Sequence, residues 1–328
     1  MSRTKWDFQR EWATWGPQGV KRGEVPTYRQ AVQYCTWMAQ THYENFPVLS
    51  QWLPEPLREP LSILYAFCRW SDDLGDELKG TVSGATAAGL VQEYRQQALA
   101  WWRSEFRACV EGSARHPVMV ALKSLIERYA LDPTLFTDLI SAFEQDQQKC
   151  EYATYAELLD YCRRSANPVG RLVLQVMGEA NESSCRWSDA ICSGLQLANF
   201  WQDVGRDYDQ GRVYLPREDY ERFGLCRADF AQRQTTPAFR ALLAWEVART
   251  RKLLEEGWPL AHQLGGRVGL VVELFLRGGL TILDKIERIN YRVWEYRPVV
   301  TRWDCMTMLW RAGIHRLMRR SLPVVAPR

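Results

Sequence analysis

Carboxylates spaced four residues apart occur in two segments separated by about 130 residues: Asp72-Asp73-Leu74-Gly75-Asp76-Glu77 and Asn199-Phe200-Trp201-Gln202-Asp203-Val204-Gly205-Arg206-Asp207. Like charges at that spacing weaken an isolated helix. A bound cation turns the repulsion into a site, and oxygen-only donors suit Mg²⁺, which keeps several waters and also binds substrate phosphates. On a helical wheel, Ile63, Phe67, Trp70 and Leu74 share one stripe, with Ser62, Tyr65, Arg69, Asp72, Asp73 and Asp76 roughly opposite. In the second segment Leu197, Trp201, Val204 and Tyr208 form the apolar stripe, and Gln196, Asn199, Asp203, Arg206 and Asp207 the polar one. Solvated acids on an amphipathic helix are common. Two lysine-free stripes with the same acid spacing argue instead for a shared partner. Two such helices facing each other across a cavity could hold Mg²⁺ ions that bridge a diphosphate. Departure of that group leaves a carbocation, which needs a dry cavity with aromatic faces.

The elements that must position these stripes are helices. Period-2 strand patterns are nearly absent, and helical periodicity predicts helices over 27–41, 57–78, 86–108, 116–129, 133–148, 154–163, 166–179, 187–208, 237–262, 266–294 and 302–320. No repeat or low-complexity linker divides them. The expectation is one all-α domain over 26–322, preceded by an N-terminal extension, 1–25, that is loose. A length of 328 residues with 46% hydrophobic content supports a sizeable core. The 15 Trp and 14 Tyr suggest a large apolar interior or cavity, although core packing also uses such residues. A net charge of +3 is too mild for a nucleic-acid partner. The nine cysteines include no CxxC pair, and with four histidines no zinc spacing arises, so buried thiols in a reducing cytoplasm are expected. The N-terminus lacks an apolar signal core, and Val268–Leu280, interrupted by Glu273 and Arg277, is too short to span a bilayer. A cytoplasmic protein, soluble or peripheral on the inner face of the membrane, is expected.

Taken with their neighbours, these residues resemble the squalene/phytoene synthase family, the head-to-head branch of the trans-isoprenyl diphosphate synthases. The resemblance runs from about Tyr28 to Arg320. It is carried by Tyr65-Ala66-Phe67-Cys68-Arg69 leading into the first acidic segment, Tyr161-Cys162 before Val169-Gly170, Gln196-Leu197-Ala198-Asn199 leading into Asp203 and Asp207, and Gly211-Arg212-Val213-Tyr214-Leu215-Pro216. It implies an isoprenoid-synthase helical bundle around a central cavity, with two or three Mg²⁺ ions. The metal positions that match are Asp72, Asp73 and Asp76, then Asn199, Asp203 and Asp207. Arg69 matches a position that holds the diphosphate. Tyr65, Tyr161, Gln196 and Tyr291 match positions lining the reaction cavity, and His42 and Phe46 join the substrate-binding set. Local wording, such as Arg164-Ser165-Ala166-Asn167-Pro168-Val169-Gly170-Arg171, is most similar to the hydroxysqualene synthases of bacterial hopanoid pathways. That implies presqualene diphosphate as substrate, capture of its cation by water, and no NADPH. It also leaves room for contact with other enzymes of that pathway.

The departures from the family pattern fit this narrower resemblance. Condensing members carry hydroxyl and lysine residues where this chain has Tyr43-Glu44-Asn45, and Arg where it has Gln202. Both changes remove capacity for a second diphosphate, unless Lys149 or Arg163 and Arg164 compensate. Other readings stand beside it: a condensing synthase joining two prenyl diphosphates, and a non-catalytic relative acting as an assembly protein, which would be expected to have lost aspartates. Asn167-Pro168 reads either as a helix kink or as a polar feature that positions the capturing water, making Asn167 a candidate catalytic residue beside Arg69, Tyr65 and Tyr161. Arg311, Arg316, Arg319 and Arg320 read as a solvated helix face or as a contact to anionic lipid.

Overall fold

The structure, a computed structural model, describes residues 6–42, 54–78, 87–301, 303–309 and 312, without the side chains of 21, 22, 42, 87 and 88. The described chain is helical, as expected; its β-structure is one isolated parallel bridge, Glu151 to Val213. In order the helices are α1 (Phe8–Trp15), α2 (Pro17–Arg22), α3 (Tyr28–His42), α4 (Glu55–Asp76), α5 (Ala87–Glu111), α6 (Pro117–Tyr129), α7 (Pro133–Asp146), α8 (Tyr155–Ser165), α9 (Asn167–Met177) and α10 (Glu182–Asp209). Then come α11 (Arg217–Arg222), a 3₁₀ turn (Arg227–Gln232), α12 (Pro237–Glu256), α13 (Trp258–Leu264) and α14 (Gly266–Arg288). Their starts are written locally. Pro133 and Pro237 occupy first turns, where a missing N–H costs nothing, and the Asp132 and Thr236 side chains accept from the Thr134 and Phe239 amides.

The chain divides into two compact units, Met1–Lys149 with Arg163–Cys185, and Cys150–Cys162 with Arg186–Arg328. In the first, α4 is the central element. Phe67, Trp70 and Leu74 are fully buried, with Trp70 stacked on Trp102 at 5.6 Å and Phe67 edge-on to Phe136 at 5.1 Å. His116 sits among Trp15, Tyr34, Trp70, Trp101 and Trp102. Its Nδ1 accepts from the Val118 amide, so its buried Nε2 carries the proton, pointed among aromatic faces with no conventional acceptor. Burial holds its pKa well below the usual imidazole range. Much of the tryptophan content is therefore spent on packing behind α4.

Several expectations shift. Residues 6–22, expected to be loose, form α1 and α2 and add Phe8 and Val20 to the buried set. Pro168 does not kink a helix; it lies in the first turn of α9, and the helical run breaks at Ala166. The helix expected over 237–262 is two, split at Gly257, where a Cβ would come within 2.2 Å of the Ile191 side chain. The one expected over 266–294 ends at Arg288, because Asn290 and Tyr291 take left-handed φ values of 56° and 59°. The expected 302–320 helix is seen over 303–309, and Arg311, Arg316, Arg319 and Arg320 lie outside the described residues.

In the second unit α10, α12 and α14 pack closely through glycine. A Cβ on Gly194 would meet Leu254 Cγ at 2.7 Å, and one on Gly279 would meet Leu254 Cδ1 at 3.0 Å. Behind them Arg249 is shared by the buried carboxylates of Glu246 and Asp219 while its guanidinium lies 3.4 Å from the Tyr155 ring centroid.

Candidate functional site

Over residues 62–76 of α4 the partly or fully exposed residues form one stripe: Tyr65, Cys68, Arg69, Asp72 and Asp76. Asp73, placed on the polar side by the wheel, instead points inward and is fully buried. Trp6 Nε1 donates to its Oδ2 at 3.1 Å, and Arg69 Nη2 pairs with its Oδ1. Burial raises its pKa to about 6, against the opposing pull of Arg69. Arg69 uses Nη1 on Asp72 at 3.0 Å, and its buried Nε–H has no acceptor. The carbonyls at the end of α4 are taken up by side chains: Gln147 Nε2 donates to Gly75 O at 3.2 Å, Gln9 Nε2 to Glu77 O at 2.7 Å, and Arg95 Nε to Leu78 O at 3.2 Å. The C-terminal end of α4 is thus held by Gln9, Arg95 and Gln147.

The second stripe lies on α10. Asn199 is exposed, while Gln196, Asp203 and Asp207 are half-buried. Trp201 is fully buried and donates to Thr250 Oγ1 at 2.8 Å, which fixes the helix's rotation. The helix kinks at Asp203, with φ −104° and ψ 15°. The Arg297 guanidinium pairs with both oxygens of Asp203, Nη2 meeting Oδ2 at 2.9 Å. Gln202 is buried, and its Nε2 donates to the Pro298 carbonyl. Tyr161 is buried in an aromatic cluster with Tyr152, Phe200 and Tyr214, the last two stacked at 3.8 Å.

The remaining candidates fall as follows. Asn167 is buried at the start of α9. Tyr291 is half-buried at the left-handed turn after α14, and burial raises its pKa. His42 closes α3, but its side chain, together with Phe46 and the Tyr43-Glu44-Asn45 run, lies outside the described residues. Arg163 and Arg164 are engaged by Asp138 and Gln145. Trp6 and Arg297 escaped the sequence reading: one lies 67 residues from its partner and the other 94, and neither sits in a periodic pattern with it.

Among the described residues no group of three or more His, Cys, Asp and Glu side chains converges as a ready-made metal cage. The donor chemistry suits Mg²⁺ all the same. That ion takes one or two protein carboxylates and fills its other positions with water and phosphate oxygens. Asp203 pairs with the Arg297 guanidinium, and the buried Arg69 Nε–H has no acceptor.

An all-α chain with two such aspartate stripes is of the isoprenoid-synthase class. The model of the squalene/phytoene synthase family matches residues 39–304, and the chain belongs to that family. It is 35% identical over 236 residues to the hydroxysqualene synthase of Rhodopseudomonas palustris, covering 70% of this chain and 75% of that one. It is 30% identical over 300 residues to a phytoene synthase of Arthrospira platensis, covering 86% and 92%. Among solved structures, the squalene synthase HpnC from Alicyclobacillus acidocaldarius matches with a TM-score of 0.73 and 39% identity over 80% of this chain and 95% of that one. A dehydrosqualene synthase matches with a TM-score of 0.77 at 21% identity over 89% and 98%, a likeness of fold.

Proposed function

We propose that the chain is a hydroxysqualene synthase: it ionises presqualene diphosphate and lets water capture the rearranged cation, giving hydroxysqualene and diphosphate. The observation that carries this reading is Gln202. It is buried, and its amide is committed to the Pro298 carbonyl, so this position offers no cation to a second prenyl diphosphate. The hydroxysqualene synthase relative supports the same reading.

The proposed Mg²⁺ ligands are Asp72 and Asp76 on α4, and Asn199, Asp203 and Asp207 on α10. When bound, Mg²⁺ supplies Lewis-acid neutralisation of the leaving diphosphate. Arg69 donates its spare Nε–H to a diphosphate oxygen while Asp72 and Asp73 hold the guanidinium in place. Asp73, buried under Trp6, orients Arg69 and is not itself a ligand. Aromatic faces such as that of Tyr161 stabilise the carbocation without offering it a nucleophile. Asn167 is assigned to orient the capturing water, and Tyr65, Gln196 and Tyr291 to contact the prenyl chains, as the family resemblance implies. The site works in the cytoplasm without NADPH; among the described residues no helix is long and apolar enough to cross a membrane.

A condensing synthase remains a second reading. It is favoured by the broad coverage of the phytoene synthase relative and by Arg297, which restores a cation near Gln202. Asp72→Asn and Asp203→Asn test the metal assignment common to both readings. Each is expected to lower turnover by on the order of 100-fold or more while leaving the melting temperature within a few degrees. Unchanged turnover in both would falsify it.

A further inference from the structure

Two consecutive residues of α10 hold two consecutive residues of the segment after α14. Gln202 binds the Pro298 carbonyl, and Asp203 binds the Arg297 side chain. The segment is built to arrive there: Asn290 and Tyr291 turn the chain in the left-handed region, and Val293 and Pro298 are buried. At its end the Arg297 fork meets both oxygens of Asp203, at the point where α10 departs from helical geometry.

The pair itself remains within reach of solvent, with side-chain exposures of 33% for Arg297 and 16% for Asp203. Ion pairs at that depth are weak and easily exchanged. A guanidinium carries one charge spread over a plane, whereas a divalent cation concentrates two on the same oxygens. Arg206 Nε, 4.0 Å from Asp203 Oδ1, is too far to replace the hydrogen bonds of Arg297.

We propose that Arg297 is an exchangeable counter-ion of Asp203: it neutralises and orients the carboxylate until a divalent cation takes its place. Arg297 is then a positioning residue that sets metal affinity by competing for the same oxygens. The inference rests on the reading of Asp203 as a metal ligand.

The test is a titration of the full chain with Mn²⁺ alone, reading the free aqueous Mn²⁺ signal by electron paramagnetic resonance. Wild type is compared with Arg297→Gln, Arg297→Lys and Asp203→Asn, with folding checked by circular dichroism. Arg297→Gln is expected to bind Mn²⁺ about fivefold tighter, roughly 1 kcal/mol at 1.4 kcal/mol per tenfold. Arg297→Lys keeps the charge but loses the fork, and falls between. Asp203→Asn is expected to weaken binding about tenfold. If Asp203→Asn weakens binding but Arg297→Gln leaves it unchanged or weaker, Arg297 is a fixed support and the exchange is overturned while the metal site stands. If Asp203→Asn binds as wild type does, the metal reading itself fails. Should Arg297→Gln not fold, Arg297→Lys decides alone: tighter binding supports exchange, and equal or weaker binding overturns it.

Discussion

Trp6 Nε1 donates a hydrogen bond to Asp73 Oδ2 at 3.1 Å, tying the start of the chain to the first aspartate stripe. The bond explains why two adjacent aspartates differ in fate. Asp72 faces outward with Arg69 beside it, and Asp73 is buried beneath the N-terminal helices. The first aspartate motif therefore carries its own internal brace, made of Trp6, Asp73 and Arg69.

The brace predicts a pH dependence. Burial raises the folded pKa of Asp73 from 3.8 to about 6, so the folded state binds its proton more tightly than the unfolded chain does. Its contribution is fully present below pH 4 and is lost as pH rises toward 6, a change of about 3 kcal/mol at 1.36 kcal/mol per pH unit. Urea unfolding of wild type and Asp73→Asn at several pH values checks this. The difference between them should shift in favour of Asp73→Asn from pH 4 to 6 and then level off. A flat difference would show that Arg69 keeps Asp73 ionised throughout.

The Glu246–Arg249–Asp219 cluster predicts an asymmetry between two substitutions. Burial raises the Glu246 pKa to about 8, so its carboxyl is mostly protonated at neutral pH. Glu246→Gln, which mimics that form, should match wild type near pH 4 and have the higher urea midpoint at pH 7, where only the unfolded wild-type chain ionises. The wild-type contribution of Glu246 is lost as pH rises from about 4.5 to 8, so the variant should gain on wild type over that range and level off above it. Arg249→Leu strands the buried Asp219 carboxylate and should cost about 3–5 kcal/mol. Equal costs for the two variants at pH 7 would contradict the assignment.

Close packing at Leu254 predicts a coupled pair. Gly194→Ala should destabilise by about 1–3 kcal/mol, because both the Cγ and Cδ2 atoms of Leu254 lie 2.7 Å from the added Cβ. In a Leu254→Ala background, itself costing about 2–5 kcal/mol, that penalty should vanish. Additive costs in chemical denaturation would mean that Gly194 is needed for some other reason.

What the sequence made legible follows from the range of each interaction. The 3.6-residue period identified the buried face Ile63, Phe67, Trp70 and Leu74, and the outward stripe Tyr65, Arg69, Asp72 and Asp76. Asp73 lies at the border of that stripe, and its side is decided by Trp6, which no local pattern connects to it. Pro168 reads in the sequence as lying inside a helical run, where it would kink the helix, whereas it occupies the first turn of α9, where its missing N–H costs nothing. The pattern breaks after Gly257 because Pro259, in the first turn of α13, has no N–H to continue α12, while Ile191 occupies the space that a side chain at 257 would need. Arg297 lies in an irregular segment whose course is set by a left-handed turn and by contacts to α10, which periodicity does not encode.

The central claim, ionisation of one large diphosphate followed by capture by water, is tested most directly by product analysis in H₂¹⁸O. The purified chain with Mg²⁺ and no reductant is given presqualene diphosphate in one reaction and farnesyl diphosphate in another. Hydroxysqualene carrying ¹⁸O from the first, with farnesyl diphosphate left unconsumed in the second, is the predicted result. A C30 product formed from farnesyl diphosphate alone, or no alcohol from presqualene diphosphate, would contradict the account.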